Sequence, residues 1–134
     1  MAKLTQDMKD IWVKADVFMV ATVDKDGKPN SVPAGLAKIT SHNQIMLVNN
    51  MMAKTRKNIE QNPNVAVTFW SGRDQYGYQL KGKARVETTG KFFGNSVKWV
   101  KEKGFPVNPK AIIVVRVDEG YYVGKGKDSS KNLV

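Results

Sequence analysis

At 134 residues the chain is sized for one domain with a core of its own, and its apolar and charged fractions (41% and 25%) are those of an ordinary globular protein. With no cysteine it has no material for disulfides or thiolate chemistry, and with a single histidine, His42, it has almost none for metal clusters or a Ser-His-Asp triad. The net charge of +10 suits capture of an anion, large or small, yet the 22 basic residues are spread along the chain without a run of five like charges.

No apolar run approaches the ~20 residues that a membrane helix needs. The first twenty residues alternate charged and apolar side chains instead of forming the apolar core of a secretory signal. The expectation is therefore a cytoplasmic protein with no membrane partner. In chain order, Leu4, Met8, Ile11, Trp12 and Ala15 recur on one face of a helix, with Thr5 placed to cap it and Asp7 in its first turn. Such a helix is expected to cover one end of a sheet. Residues 17–23 (Val-Phe-Met-Val-Ala-Thr-Val) read as a strand, and Asp24-Lys25-Asp26-Gly27 as a hairpin turn. The return strand, about 30–39, carries Pro33, which has no ladder donor, and Gly35, which has no side chain. It is read either as a bulge at a barrel corner or as backbone laid bare for a flat ligand. His42 falls in Thr-Ser-His-Asn-Gln, read as a turn, where a solvated residue is expected in preference to a catalytic base.

The strand at 44–48 leads through Asn49 and Asn50 into a helix that starts near Ala53 and stops at Asn62-Pro63, because the residue before proline is pushed out of helical geometry. Lys54, Arg56 and Lys57 crowd the beginning of this helix, where the macrodipole is already positive and each misplaced cation costs roughly 0.3–1 kcal/mol. Two readings resolve the conflict. Either the helix is simply basic and solvated, or an anion, a phosphate monoester above all, receives the free N–H groups, the Thr55 hydroxyl and the lysine charge together. The glycine spacing of nucleotide-binding loops is absent.

Strands follow at 65–70 and 78–86, the second alternating an apolar face with Gln79, Lys81, Lys83 and Arg85, and with Gly82 as a bulge or point of close approach. A helix over 91–103 with Phe93, Val97 and Val100 on its buried stripe ends at Gly104. The apolar run 111–117 is either buried on both faces or paired with a second subunit, and 120–123 extends it. The expected architecture is mainly β: a single domain over 1–123, a closed or partly open barrel of six antiparallel strands with three peripheral helices, and a mobile tail over 124–134. The mixture of Phe69, Trp70, Tyr76 and Tyr78 with Arg73, Lys81, Lys83 and Arg85 also allows a nucleic-acid-binding barrel, a minor alternative since such hairpins usually have one packed and one solvated face.

The order Thr22-Val-Asp-Lys-Asp-Gly-Lys-Pro29, then 32–39, then 45–50, then Lys54-Thr55-x-x-Asn58-Ile59-x-x-Asn62-Pro63-x-Val65, resembles the pyridoxamine 5′-phosphate oxidase-like FMN-binding split barrels, in particular their short members, the small FMN-binding proteins. The resemblance implies a split β-barrel homodimer with FMN at the subunit interface. By position, Lys54 and Thr55 would hold the phosphate, with Val48, Asn49 and Asn50 lining its loop. Val32, Pro33 and Ala34 would lie along the isoalloxazine, and Trp70 or Tyr122 are candidates for contacts from the second subunit. The chain has Lys54-Thr55 where the vitamin B6 oxidases have an Arg-Lys pair, and lacks their basic, histidine-containing C-terminal segment. That argues against B6 oxidation, and the lack of a convincing general acid or base favours electron transfer or a broad flavin-dependent oxidoreductase, with an unknown redox partner, over a dedicated oxidase. A reductase of the same fold that uses the deazaflavin F420 is the alternative.

Overall fold

The computed structural model describes residues 2–49, 52–106 and 108–134. The chain runs α1 (Gln6–Lys14), β1 (Val17–Val23), β2 (Pro29–Pro33), β3 (Ala37–Ser41), β4 (Gln44–Asn49), α2 (Ala53–Gln61), β5 (Asn64–Ser71), β6 (Tyr76–Glu87), α3 (Gly90–Glu102) and β7 (Ala111–Gly124). All strand pairs are antiparallel, in the order β2-β1-β5-β6-β7-β4-β3.

The described residues contain seven strands, where the sequence pattern suggested six. The stretch read as one strand over 30–39 is two, because it changes partners. β2 pairs with β1 and β3 with β4, so consecutive strands lie at opposite edges of the sheet. Only residues 34–36 join them, and so short a link forces the sheet to curl until its two edges almost meet. The link belongs to both edges: the Ala34 N–H donates to the Phe18 carbonyl (2.8 Å), and the Leu36 carbonyl accepts the Val48 N–H (3.0 Å). Pro33 turns its nitrogen toward the open edge, where a missing N–H costs no bond to β1, and the β1 pairing ends one residue later at Ala34. The result is a barrel split along the seam between β2 and β3.

Val20, Leu47, Val67, Phe69, Leu80, Ile113 and Val115 fill the interior, and Met8, Ile11 and Trp12 of α1 join the same core. Thr5 caps α1 as expected, accepting the Met8 N–H at 3.2 Å. Ala111 to Val115 are buried throughout. Ile113 and Val115 face the barrel, whereas Ile112 and Val114 meet Met46, Val48 and Val100 in a second cluster under α3. Burial on both faces therefore arises within one chain. The α3 stripe is turned from the expected one: Ser96 and Val100 are its buried residues, with Phe92 and Phe93 half-buried beside them and Val97 half-buried outside the cluster. The buried Ser96 hydroxyl donates to the Phe92 carbonyl one turn back (2.9 Å), so the substitution of a polar residue for an apolar one leaves no unmet hydrogen bond.

Two local devices behave as their residues require. The Asp24 carboxylate accepts the N–H groups of Lys28 and Asp26 (2.8 Å each) across the β1–β2 turn, which holds it below the usual carboxylate range. At Gly82 the β6–β7 register slips, and a methyl group there would overlap the Arg116 carbonyl and sit 2.9 Å from its carbon. Only glycine allows that approach. Beyond β7, the Leu133 N–H donates to the Gly120 carbonyl at 2.8 Å, and Val134 packs against the core.

Candidate functional site

The N-terminus of α2 stands beside the seam. Its N-cap, Met52, makes no side-chain cap hydrogen bond, and the first turn holds no acidic residue. Among the described residues no side chain caps the first free donors of the helix. Arg56 is bound to Glu60 at 3.0 Å, so part of the basic cluster is internally compensated. Lys54 is exposed, and no carboxylate among the described residues pairs with it. An unpaired cation at the positive end of a helix is the arrangement that an anion relieves.

What holds this helix in place is polar. Ile59 is its only buried large apolar side chain. Asn30, at the start of β2, donates to the Thr55 hydroxyl at 3.1 Å, and Asn58 donates to the Thr22 hydroxyl at 3.0 Å. The two pegs, each contributing about 1 kcal/mol net, fix α2 against the β1–β2 hairpin. Thr55 is 1% exposed. At that burial its hydroxyl serves the peg, and a surface anion would meet the backbone N–H of Thr55 instead.

The other expected residues are distributed as follows. Pro33 is exposed at the end of β2, and Val32 is half-buried against the core. Ala34 is buried, with its N–H already committed to Phe18. The pairing alternates along an antiparallel ladder, so Ser31 and Pro33 turn their remaining backbone groups toward the open edge. Val48 is buried under α3 and tied to Leu36. Asn49 ends β4 opposite Ala111, while Asn50 lies outside the described residues. The fold therefore brings β2, the 34–36 link, the end of β4 and the start of α2 to one side of the seam. Asn30 and Thr22 were not among the site residues expected from the sequence; only their partners 25 and 36 residues away reveal their part in it.

Other candidates sit elsewhere. His42 is exposed in the β3–β4 turn, and its carbonyl accepts the Leu4 N–H. Phe69 and Tyr78 are buried in the barrel, whereas Lys81, Lys83 and Arg85 are exposed, so those two aromatic side chains share no surface with the basic ones. Tyr122 is buried and donates to the Lys125 carbonyl (3.1 Å). Trp70 is half-buried on the outer face of β5. That outer face also holds a cavity of about 420 Å³ with Lys81, Lys83, Asp118 and Glu119 on its walls. Its mixed charges make it a poorer anion site than the α2 terminus. No group of three or more metal-ligating side chains occurs among the described residues, and no described helix is long and apolar enough to cross a membrane.

A curled antiparallel sheet, divided along one seam with a basic helix terminus beside it, defines a split β-barrel. The family model for pyridoxamine 5′-phosphate oxidase matches residues 4–124, and the chain belongs to that family. An uncharacterised protein of Methanocaldococcus jannaschii is 30% identical over 131 residues, covering 96% of this chain and 87% of that protein. Among solved structures, HupZ of Group A Streptococcus is 30% identical with a TM-score of 0.83, over 93% of this chain and 98% of that one. An FMN-binding protein of Syntrophomonas wolfei shares the fold at 16% identity and a TM-score of 0.74, over 90% and 85% of the two chains.

Proposed function

We propose that the protein binds FMN at the seam and acts, as a homodimer in the cytoplasm, in electron transfer or as a flavin-dependent oxidoreductase. The observation that carries this reading is the start of α2: among the described residues it has no side-chain cap, no acid in the first turn, and an exposed Lys54 that no carboxylate pairs with. These features fit a phosphate dianion, which would receive the helix N–H groups and the Lys54 ammonium together. Asn30 would keep Thr55, and with it the first turn, in position. The open edge of β2 would offer the backbone of Ser31 and Pro33 to the polar rim of the ring, with Val32 and Ala34 as apolar support.

When bound, FMN supplies hydride and single-electron transfer. The protein's part is to anchor the phosphate, orient the ring along the seam and exclude water from one face. A second copy would complete the site from the other side. The half-exposed apolar residues Met19, Ala21, Val23, Ala66 and Trp70 on the outer face of β1 and β5 are suited to that contact.

The test is a visible spectrum of the purified protein, then titration of the flavin-free form with FMN and mass determination of whatever heat releases. Yellow protein that releases FMN supports the proposal. A released deazaflavin with an acidic tail would replace FMN by F420 at the same site. Failure to take up either compound in excess would dismiss both.

A further inference from the structure

A second cleft, of about 620 Å³, lies between α1, the 34–36 link with β3, and the end of α3, and no residue of α2 lines it. Its walls are aromatic. Trp12 and Phe18 pack with ring centroids 4.6 Å apart, and Trp99 stands on α3. The charges around it have one sign: Lys9, Lys38 and Lys103 line the cleft, and no Asp or Glu does. The Lys38 and Lys103 ammonium groups lie 5.2 and 5.9 Å from the centre of the Trp99 ring, so both cations are held over an apolar platform.

Gly35 supplies an independent observation. Its φ is not positive, and a Cβ added there would meet nothing within 4 Å. Neither backbone conformation nor packing within the chain therefore calls for glycine. Its effect is to keep one wall of the cleft bare. Val13, on the rim, is 84% exposed, an apolar side chain with nothing of this chain covering it.

A ring-lined cleft bordered only by cations selects a flat apolar ligand that carries negative charge, with the ring against the indoles and the anion among the ammonium groups. We propose that this cleft binds a small aromatic carboxylate. The cleft contains no residue of the α2 terminus, and although it shares the 34–36 link with the seam, its occupancy does not require FMN.

The probe is 2-naphthoate, titrated into the purified protein by calorimetry, with 2-naphthalenemethanol as the neutral counterpart. Saturable binding of the acid is expected, at least about tenfold tighter than the alcohol, with the difference shrinking in 1 M salt. Lys38→Gln combined with Lys103→Gln should bring the acid down to the alcohol's affinity. Gly35→Leu should block both ligands, and Gly35→Ala, whose Cβ meets no neighbour, should leave the thermal midpoint in place. Lys54→Ala should leave naphthoate binding intact, which separates this site from the phosphate anchor. Equal affinity for acid and alcohol, displacement of naphthoate by FMN, or unaltered binding in a folded Gly35→Leu variant would each overturn the assignment.

Discussion

Replacing Lys54 by alanine should move stability and flavin affinity in opposite directions. In the ligand-free protein the ammonium group sits in a first turn that has no acidic residue to offset it. Removing it relieves about 0.3–1 kcal/mol of macrodipole repulsion, and alanine adds a few tenths in helix propensity. For a chain of 134 residues, at roughly 3–5 °C per kcal/mol, the apo midpoint should rise by about 2–5 °C. FMN, in contrast, loses a charge-assisted contact of about 1.5–3 kcal/mol, so its Kd should weaken by about 10- to 150-fold. Because Lys54 is exposed, the lower end applies at physiological salt. The assays are thermal unfolding without flavin, and fluorescence titrations with FMN and with riboflavin, which has no phosphate. Riboflavin affinity should not change, and Lys54→Glu should enlarge both effects. Unchanged FMN affinity, or an equal loss for riboflavin, would refute the phosphate assignment.

Gly82→Ala forces a methyl group against the main chain of Arg116 and Val117, atoms that cannot swing aside, and should lower stability by at least about 2–3 kcal/mol in urea titrations. Thr22→Val leaves the buried Asn58 amide without its acceptor, at a cost of about 1–3 kcal/mol. Adding Asn58→Leu should lose less than the two single changes summed, which a double-mutant cycle reads directly. Burial first, and then the hydrogen bond to Asp7, hold the Tyr78 hydroxyl proton well above the ordinary tyrosine range, and Tyr76 is raised by the same causes. A proton held more tightly in the folded state stabilises below the unfolded pKa of about 10 and does so progressively less above it. The denaturation midpoint should therefore fall beyond about pH 10, and less steeply in Tyr78→Phe. Trp70→Glu, on the outer face of β5, should convert a dimer into monomers by sedimentation and weaken FMN uptake. A variant that stays dimeric with full FMN binding would place the subunit contact elsewhere.

Much of this molecule is written in short-range pattern. The apolar face of α1 and its Thr5 cap, the alternation of β6, the Gly82 irregularity and the halt of α2 before Pro63 all follow from residues a few positions apart. Periodicity, capping and proline sterics act over that range, so one strand or helix suffices to express them. The basic start of α2 and the Pro33–Gly35 interruption, the two ends of the candidate site, were legible for the same reason. Sheet closure was not. Whether residues 30–39 make one strand or two depends on β1 and β4 waiting at opposite edges, and no local propensity encodes which partners a strand will find. The Asn30–Thr55 and Thr22–Asn58 pegs, and the cleft that α1 and α3 build around Trp12 and Trp99, exist only once the sheet has curled. Residue chemistry told what each segment could bind; the closure of the barrel decided which segments would bind it together.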